Sequence, residues 1–324
     1  MNNNIFAKNL LKICKKAQGV VISGHINPDY DALCSCLAMQ EILSQNGIKA
    51  DIMLEQPLDS TFDYLSGKYK FIYEPQNYEV LITVDTAEPK LLPANVMSVK
   101  ENAKFTFNID HHQSNKMYAQ NNYVQGEISS ACEVIYYLFE KNFNLTQTLA
   151  QFLYLGIYTD TGGFIYSNTK ENTFKCLANL IKTGFDADDL LLKCFRNKSL
   201  ASFEMTKRAF NSIKFYANGA IAVSQLRYED YEQSKANLNE AKFIVSYLPT
   251  IQNVKVGIAV SEPKPNDFHV SLRTACNDVN VSEIAKQFGG GGHIRASGLT
   301  LKGDYQKALN ALIKFTKYTL EKKS

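Results

Sequence analysis

Apolar residues come in short blocks along the chain, and the period of each block decides its element. The runs "GVVIS" (19–23), "KADIML" (49–54), "EVLITVD" (79–85) and "KFTFNID" (104–110) are too short for helices, so they predict strands. Before, between and after them, apolar positions recur every three to four residues over 4–17, 31–45, 129–141, 146–158, 170–183 and 186–195. That spacing predicts amphipathic helices, the second of them ended by Gly47. Short apolar strands alternating with helices specify an α/β domain with a mostly parallel sheet.

The pattern changes near 195–210. A helix over 199–212 is followed by "IKFYANGAIAVSQL", two strands around Asn218-Gly219, which is a strong hairpin signal. "VKVGIAVSE" and "DFHVSLRTA" flank the turn-rich "PKPN" as a second hairpin, and helices are expected over 281–288 and 305–320. The expected organisation is an α/β domain over 1–195, a helical linker over 196–210, and a smaller α/β domain over 211–324 with a mixed or antiparallel sheet. A chain of 324 residues suits two domains at roughly 150 residues each.

Composition narrows the class. A hydrophobic fraction of 45% is ordinary for a globular protein, and a net charge of +3 gives no global field to steer a polyanion. No run of about 18 apolar residues is present to span a membrane. In "MNNNIFAKNLLKICKKAQG" the lysines interrupt the apolar residues, which predicts an amphipathic helix rather than a leader. Seven cysteines without a CxxC pair point to a reducing, cytoplasmic setting.

The candidate chemistry lies at the ends of the apolar blocks. "VVIS" runs into "GHINPDYDA", with His25, Asp29 and Asp31; "VLITV" ends at Asp85. "FTFNI" ends at Asp110, His111 and His112, and "LYLGIYTDTGGF" delivers Asp160. In a parallel sheet the strand C-termini share one edge, where ligands bind. Each residue alone has a plain explanation: Asp29 or Asp31 as a helix cap, Asp85 or Asp160 as a turn carboxylate, His25 as a structural histidine. Four segments ending alike outweigh those explanations. Carboxylates gathered in one place repel and are costly to bury, and a divalent cation removes that cost. Carboxylate with imidazole suits manganese, iron or zinc, and the majority of oxygens favours manganese. Two such ions, roughly 3.5–4 Å apart, clamp a phosphorus centre for in-line attack.

A second feature is "FGGGGHIRASG", four consecutive glycines followed by His293 and Arg295. Glycine lets backbone N–H groups approach an anion closely. The segment lacks GxxxxGK[ST] and is not a P-loop. Arg273, in "HVSLRT", lies on an expected strand.

Four motifs in order, "GHINPDYDAL", "VDTAEP", "NIDHHQSN" and "GIYTDTGGF", with "GGGGHIRASG" (289–298) as a fifth, resemble those of the DHH phosphoesterases. That family is named for the triplet seen here as Asp110-His111-His112, and the likeness covers nearly the whole chain. It implies one metal on His25, Asp29 and Asp85, and a second on Asp31, Asp85, His111 and Asp160, with Asp85 bridging. It implies that His112 sits over the scissile phosphate as acid or electrophile, and that Asp110 orients the histidines. It also implies that Arg273, Gly290, Gly291, Gly292, His293 and Arg295 grip the substrate. Tyr30 and Cys34 stand where the family has glycine, and Tyr30 is expected to narrow or reshape the mouth of the site.

Within the family, the length and the glycine signature resemble the compact two-domain oligoribonucleases. These degrade very short RNAs, linear dinucleotides included, to mononucleotides, and convert 3′-phosphoadenosine 5′-phosphate (pAp) to AMP. The expected partners are those short RNAs and pAp, with two divalent ions, no membrane, and a homodimer as found among relatives. The competing expectations are a cyclic-dinucleotide phosphodiesterase, a minimal single-strand exonuclease, and, outside the enzymes, a nucleotide-binding module.

Overall fold

Strand β3 (Val80–Val84) is buried along its whole length and lies mid-sheet in the computed structural model, which describes residues 3–55, 58, 62–196, 199–236, 244–292 and 294–322. The other strands of its sheet are β1 (Val20–Ser23), β2 (Asp51–Ile52), β4 (Phe105–Asp110) and β5 (Asn121–Val124). All five run parallel, in the order β2-β1-β3-β4-β5. Helices α1 (Asn3–Cys14), α2 (Tyr30–Gln45), α3 (Asp63–Ser66), α4 (Ala94–Asn102), α5 (Ala131–Phe139), α6 (Gln147–Asp160), α7 (Glu171–Ile181) and α8 (Ala187–Leu191) complete this unit.

Strand alternation splits the apolar residues between two faces. Ile22, Val80, Ile82, Phe107 and Ile109 join the large core built with α1, α2, α5 and α6. Val21 and Leu81 join Val96 and Val99 of α4 in a smaller one. The strand order reverses between β1 and β3, so the chain leaves the sheet in opposite directions there and opens a crevice at the strand C-termini.

The chain divides into two units, Met1–Arg196 and Asn197–Ser324. The second has strands β6 (Lys214–Tyr216), β7 (Ile221–Leu226), β8 (Val256–Lys264), β9 (Asp267–Arg273), β10 (Gly291–Gly292) and β11 (Ala296–Leu301). They lie in the order β10-β11-β9-β8-β7-β6, antiparallel except for β7 with β8. Its helices are α9 (Leu200–Asn211), α10 (Tyr228–Ser234), α11 (Ile244–Tyr247), α12 (Val281–Gln287) and α13 (Tyr305–Glu321). Both expected hairpins form, as β6–β7 and β8–β9. The helix expected as a connector, α9, is built into this unit: Met205 and Ala209 are buried with Ala222 of β7 and Ala259 of β8.

Gly156, within α6, has a structural reason to be glycine. A Cβ there would collide with Cys132 Sγ of α5 and stand 2.7 Å from an Asp31 carboxylate oxygen of α2. Three helices therefore meet at a point with no room for a methyl group. Replacing Gly156 with Ala is expected to lower the unfolding free energy by about 1–3 kcal/mol in urea titrations. An unchanged midpoint and slope would show that the helices separate there without cost.

Candidate metal centre

The site is assembled at the C-terminal edge of the parallel sheet. After β1 the chain passes Gly24 to His25, and the loop is tied down where the Ile26 N–H bonds the Leu91 carbonyl at 2.7 Å. Asp29 caps α2, its Oδ1 accepting the Ala32 N–H at 3.0 Å, so the plain reading of a helix cap holds for it. Asp31 is buried, and its two oxygens accept the N–H groups of Ala131 at 2.7 Å and Cys132 at 3.0 Å. Those amides open α5, so the positive end of a helix faces a carboxylate. Asp85 follows β3 with φ of 49°, while its N–H still bonds the Ile109 carbonyl of β4 at 3.0 Å. That left-handed backbone costs about 1 kcal/mol, and aspartate tolerates it better than most residues. Asp160 is the last residue of α6, so the fourth segment contributes from a helix end rather than a strand end.

The side chains converge on Asp85. His25 Nε2 stands 3.6 Å from Asp85 Oδ2 and 3.9 Å from Asp29 Oδ1. His111 Nε2 lies 3.4 Å from Asp85 Oδ1 and 3.6 Å from Asp160 Oδ2. His112 Nδ1 lies 3.6 Å from Asp85 Oδ1. Three sets of donor atoms fall close enough to share an ion: His25, Asp29 and Asp85; Asp31, His111 and Asp160; and Asp85, Asp110, His111 and His112.

One atom tests whether cations fit. Asp85 Oδ1 is buried and has no hydrogen-bond partner. An orphaned carboxylate oxygen in the interior is costly. Its nearest imidazole nitrogens, at 3.4 and 3.6 Å, make no hydrogen bond to it, and a divalent ion between them would satisfy it. His25 agrees: its Nδ1 bonds the Ile26 carbonyl at 2.7 Å, so once the ring is neutral its Nε2 lone pair faces the carboxylates.

Proton affinities record the crowding. Burial, then the charges of Asp85 and Asp160, push the Asp31 carboxyl well up. Burial raises Asp160 to about 6 against the pull of His111. Burial also works to raise Asp85, but the imidazoles of His111 and His25 outweigh it and hold that carboxyl below the usual range. Burial would lower His25 and His111, yet Asp85 outweighs it and raises them to about 9 and about 10.

Behind the cluster lies a polar network that the sequence reading missed. Asp110 Oδ1 accepts the His111 N–H at 2.9 Å and His112 Nδ1–H at 2.8 Å, and Oδ2 accepts from Asn115 at 2.5 Å. Asn115 also donates to Asn108 Oδ1 at 2.9 Å, and Asn108 donates to Thr83 Oγ1 at 3.0 Å. The Tyr118 hydroxyl donates to the same Thr83 oxygen at 2.9 Å. A signal was present: Thr106, Asn108 and Asp110 alternate as polar residues along an otherwise apolar strand. Asn168 was also missed; its side-chain amide holds the Asp160 carbonyl at 3.1 Å and the Ser129 carbonyl at 3.0 Å.

Tyr30 is buried, its ring centroid 4.8 Å from Phe62 and 5.0 Å from Phe195, and its hydroxyl donates to the Cys194 carbonyl at 3.4 Å. Neighbouring helical positions diverge by about 100°, so Tyr30 leaves the face that Asp31 serves. Cys34 is likewise buried in the core.

The remaining candidates lie in the second unit. In register, Arg273 of β9 faces Ala296 of β11, beside the hairpin that β10 and β11 form. A Cβ at Gly290 or Gly292 would strike the backbone of β11, whereas one at Gly291 would meet open space. Packing therefore accounts for two of the glycines and leaves Gly291 to another cause. The Arg295 guanidinium donates to Asn277 Oδ1. His293 lies outside the described residues.

Residues 19–157 match the DHH family, N-terminal domain, and residues 218–322 match the DHHA1 domain. A Streptococcus mutans protein called a probable bifunctional oligoribonuclease and PAP phosphatase NrnA is 28% identical over 298 residues, covering 90% of this chain and 92% of that protein. The bifunctional oligoribonuclease and PAP phosphatase NrnA of Bacillus subtilis is 26% identical over 286 residues, 87% of this chain and 89% of its own. Among solved structures, an exopolyphosphatase-related protein from Bacteroides fragilis superposes with a TM-score of 0.90, at 20% identity over 98% of both chains. RecJ of Thermus thermophilus, solved in complex with Mn2+, superposes with a TM-score of 0.58 at 12% identity, over 99% of this chain and 55% of that one. At such identities the structural likenesses show a shared fold.

Binding of manganese to the metal-free protein is expected to release protons, because the raised imidazoles and carboxyls must give theirs up. Calorimetric titrations in buffers of different ionisation enthalpy would show it, with affinity falling from about pH 8 to about pH 6. Heats independent of buffer, with affinity independent of pH, would place the ions elsewhere.

Proposed function

From the premise that this chain belongs to the DHH family, with the DHHA1 domain as its second part, we propose that it is a divalent-metal-dependent phosphoesterase. Its substrates are very short RNA oligonucleotides, linear dinucleotides included, which it cuts to mononucleotides, and pAp, which it converts to AMP. The observation that carries this reading is the orphaned Asp85 Oδ1 at the centre of three imidazoles and four other carboxylates. The two relatives named oligoribonuclease and PAP phosphatase support the substrate class, since each aligns along nearly the whole of this chain.

His25, Asp29 and Asp85 would hold one ion, and Asp31, Asp85, His111 and Asp160 the other. The donor set and the fold shared with a manganese-bound RecJ favour manganese. When bound, the two ions supply Lewis acidity and a water of lowered pKa. Asp110 holds His112 by Nδ1, which fixes the ring with Nε2 on the opposite side, suited to protonate the leaving oxygen. Arg273, Arg295 and the hairpin around Gly291, all in the second unit, would bind substrate. Seven unpaired cysteines suit the reducing cytoplasm, and among the described residues no helix is long and apolar enough to cross a membrane.

Hydrolysis of a 5′-labelled RNA series, from dimers to about 24-mers, with pAp and a cyclic dinucleotide alongside, tests the reading. Rapid cleavage of the shortest RNAs and of pAp in manganese, abolished by chelation, is expected. Preference for long strands would replace it with an exonuclease reading, preference for cyclic dinucleotides with a phosphodiesterase reading, and no cleavage at all with a binding module. A second experiment separates the paired histidines. His111→Ala is expected to lose metal at one site, whereas His112→Ala keeps its metal and loses about 10²–10⁴-fold in kcat. Equal metal loss in both variants would contradict that division of roles.

A further inference from the structure

Just past Asp160 the chain adopts a conformation for which the metal centre gives no reason. Gly162, Gly163 and Phe164 all have left-handed backbones, with φ of 59°, 69° and 72°. Thr161 secures the bend: its hydroxyl accepts the Phe164 N–H at 3.2 Å, and its carbonyl accepts the N–H groups of Ile165 and Tyr166, each at 3.0 Å. The Tyr166 carbonyl in turn accepts the Thr169 N–H at 3.1 Å. Phe164 turns inward, its ring centroid 5.4 Å from that of Tyr158.

Its two successors turn outward. Ile165 is 84% exposed and Tyr166 58% exposed. The Tyr166 ring nonetheless lies against Gly162, with three ring carbons 2.5–2.8 Å from where a Cβ would be. A bulkier residue at 162 would displace it. The fold thus holds apolar surface in water on a bend that its backbone hydrogen bonds secure, and gains little packing from it. Adjacent exposed apolar residues held in this way mark a binding surface.

The place suggests the occupant. The members of the metal cluster that reach solvent most are Asp29, His112 and Asp160, with side chains 59%, 30% and 28% exposed. The turn carrying Tyr166 continues directly from the last of these. A nucleotide whose phosphate lies at the cluster carries its base one sugar away, and unpaired bases are bound by stacking on aromatic rings.

We propose that Tyr166, pinned over Gly162 and edged by Ile165, is the platform on which the nucleobase next to the scissile phosphate stacks. The proposal rests on the phosphoesterase reading and deepens it. Every base has a π-face, so the platform recognises that a base is present without choosing among bases. Because the ring already rests on Gly162, stacking need order it less than a ring standing free in solvent.

The test compares Tyr166→Ala, Tyr166→Phe and the parent protein, all loaded with manganese. The substrates are a ribodinucleotide and the same molecule lacking the base beside the cleaved bond. Stacking contributes equally before and during the reaction, so Tyr166→Ala should raise KM for the ribodinucleotide by about 5- to 150-fold with kcat little changed. KM for the abasic substrate should not move, and Tyr166→Phe should restore the low KM. Equal changes on both substrates, or none on either, would overturn the proposal. A shift in oligomeric state on Tyr166→Ala, seen by sedimentation without a base-dependent change in KM, would make the patch a subunit interface instead. If the parent protein cleaves neither substrate, the phosphoesterase reading has failed, not the platform.

Discussion

A buried carboxylate that the protein alone leaves unsatisfied is the constraint on which the first unit depends. Asp85 sits at the end of a fully buried strand, in a left-handed backbone, with one oxygen lacking any hydrogen bond. Such a group persists only where something else compensates it. The reversal of strand order between β1 and β3 opens the crevice in which it lies. The helix amides that satisfy Asp31, and the room left by Gly156, let a second carboxylate approach it from α2. The carboxylate–imidazole cluster and the packing of α2, α5 and α6 are therefore one arrangement seen from two sides.

The imidazoles show a division of labour between their own nitrogens. His25 gives Nδ1 to the Ile26 carbonyl and turns Nε2 to the carboxylates. His112 gives Nδ1 to Asp110, which is itself held by Asn115. In each, one nitrogen belongs to the scaffold and so fixes where the other points. His25 and His112 are thus each anchored at Nδ1, and the proposed function assigns His111 to ligate metal and His112 to meet the substrate.

Much of this was legible in the sequence, and the reasons differ by residue. The strands β1, β3 and β4 are short apolar blocks, and the carboxylates and histidines that follow them stand out because a buried strand offers few other places for charge. β5 escaped because "NNYV" has an edge strand's polar character, and the β10–β11 hairpin escaped because its glycines resemble a loop. The network of Thr83, Asn108, Asn115 and Tyr118 joins residues from two strands and a loop, and only the parallel register that sets Thr83 beside Asn108 brings them together. The bend at Gly162–Phe164 could not be foreseen, since nothing in the residue types requires three consecutive left-handed backbones.

The most direct test of the central claim is anomalous diffraction at the manganese edge from crystals soaked in Mn2+. The account predicts two peaks that share Asp85 as a common ligand, with His25 on one side and His111 and Asp160 on the other. A single peak, or two peaks neither of which touches Asp85, would contradict it.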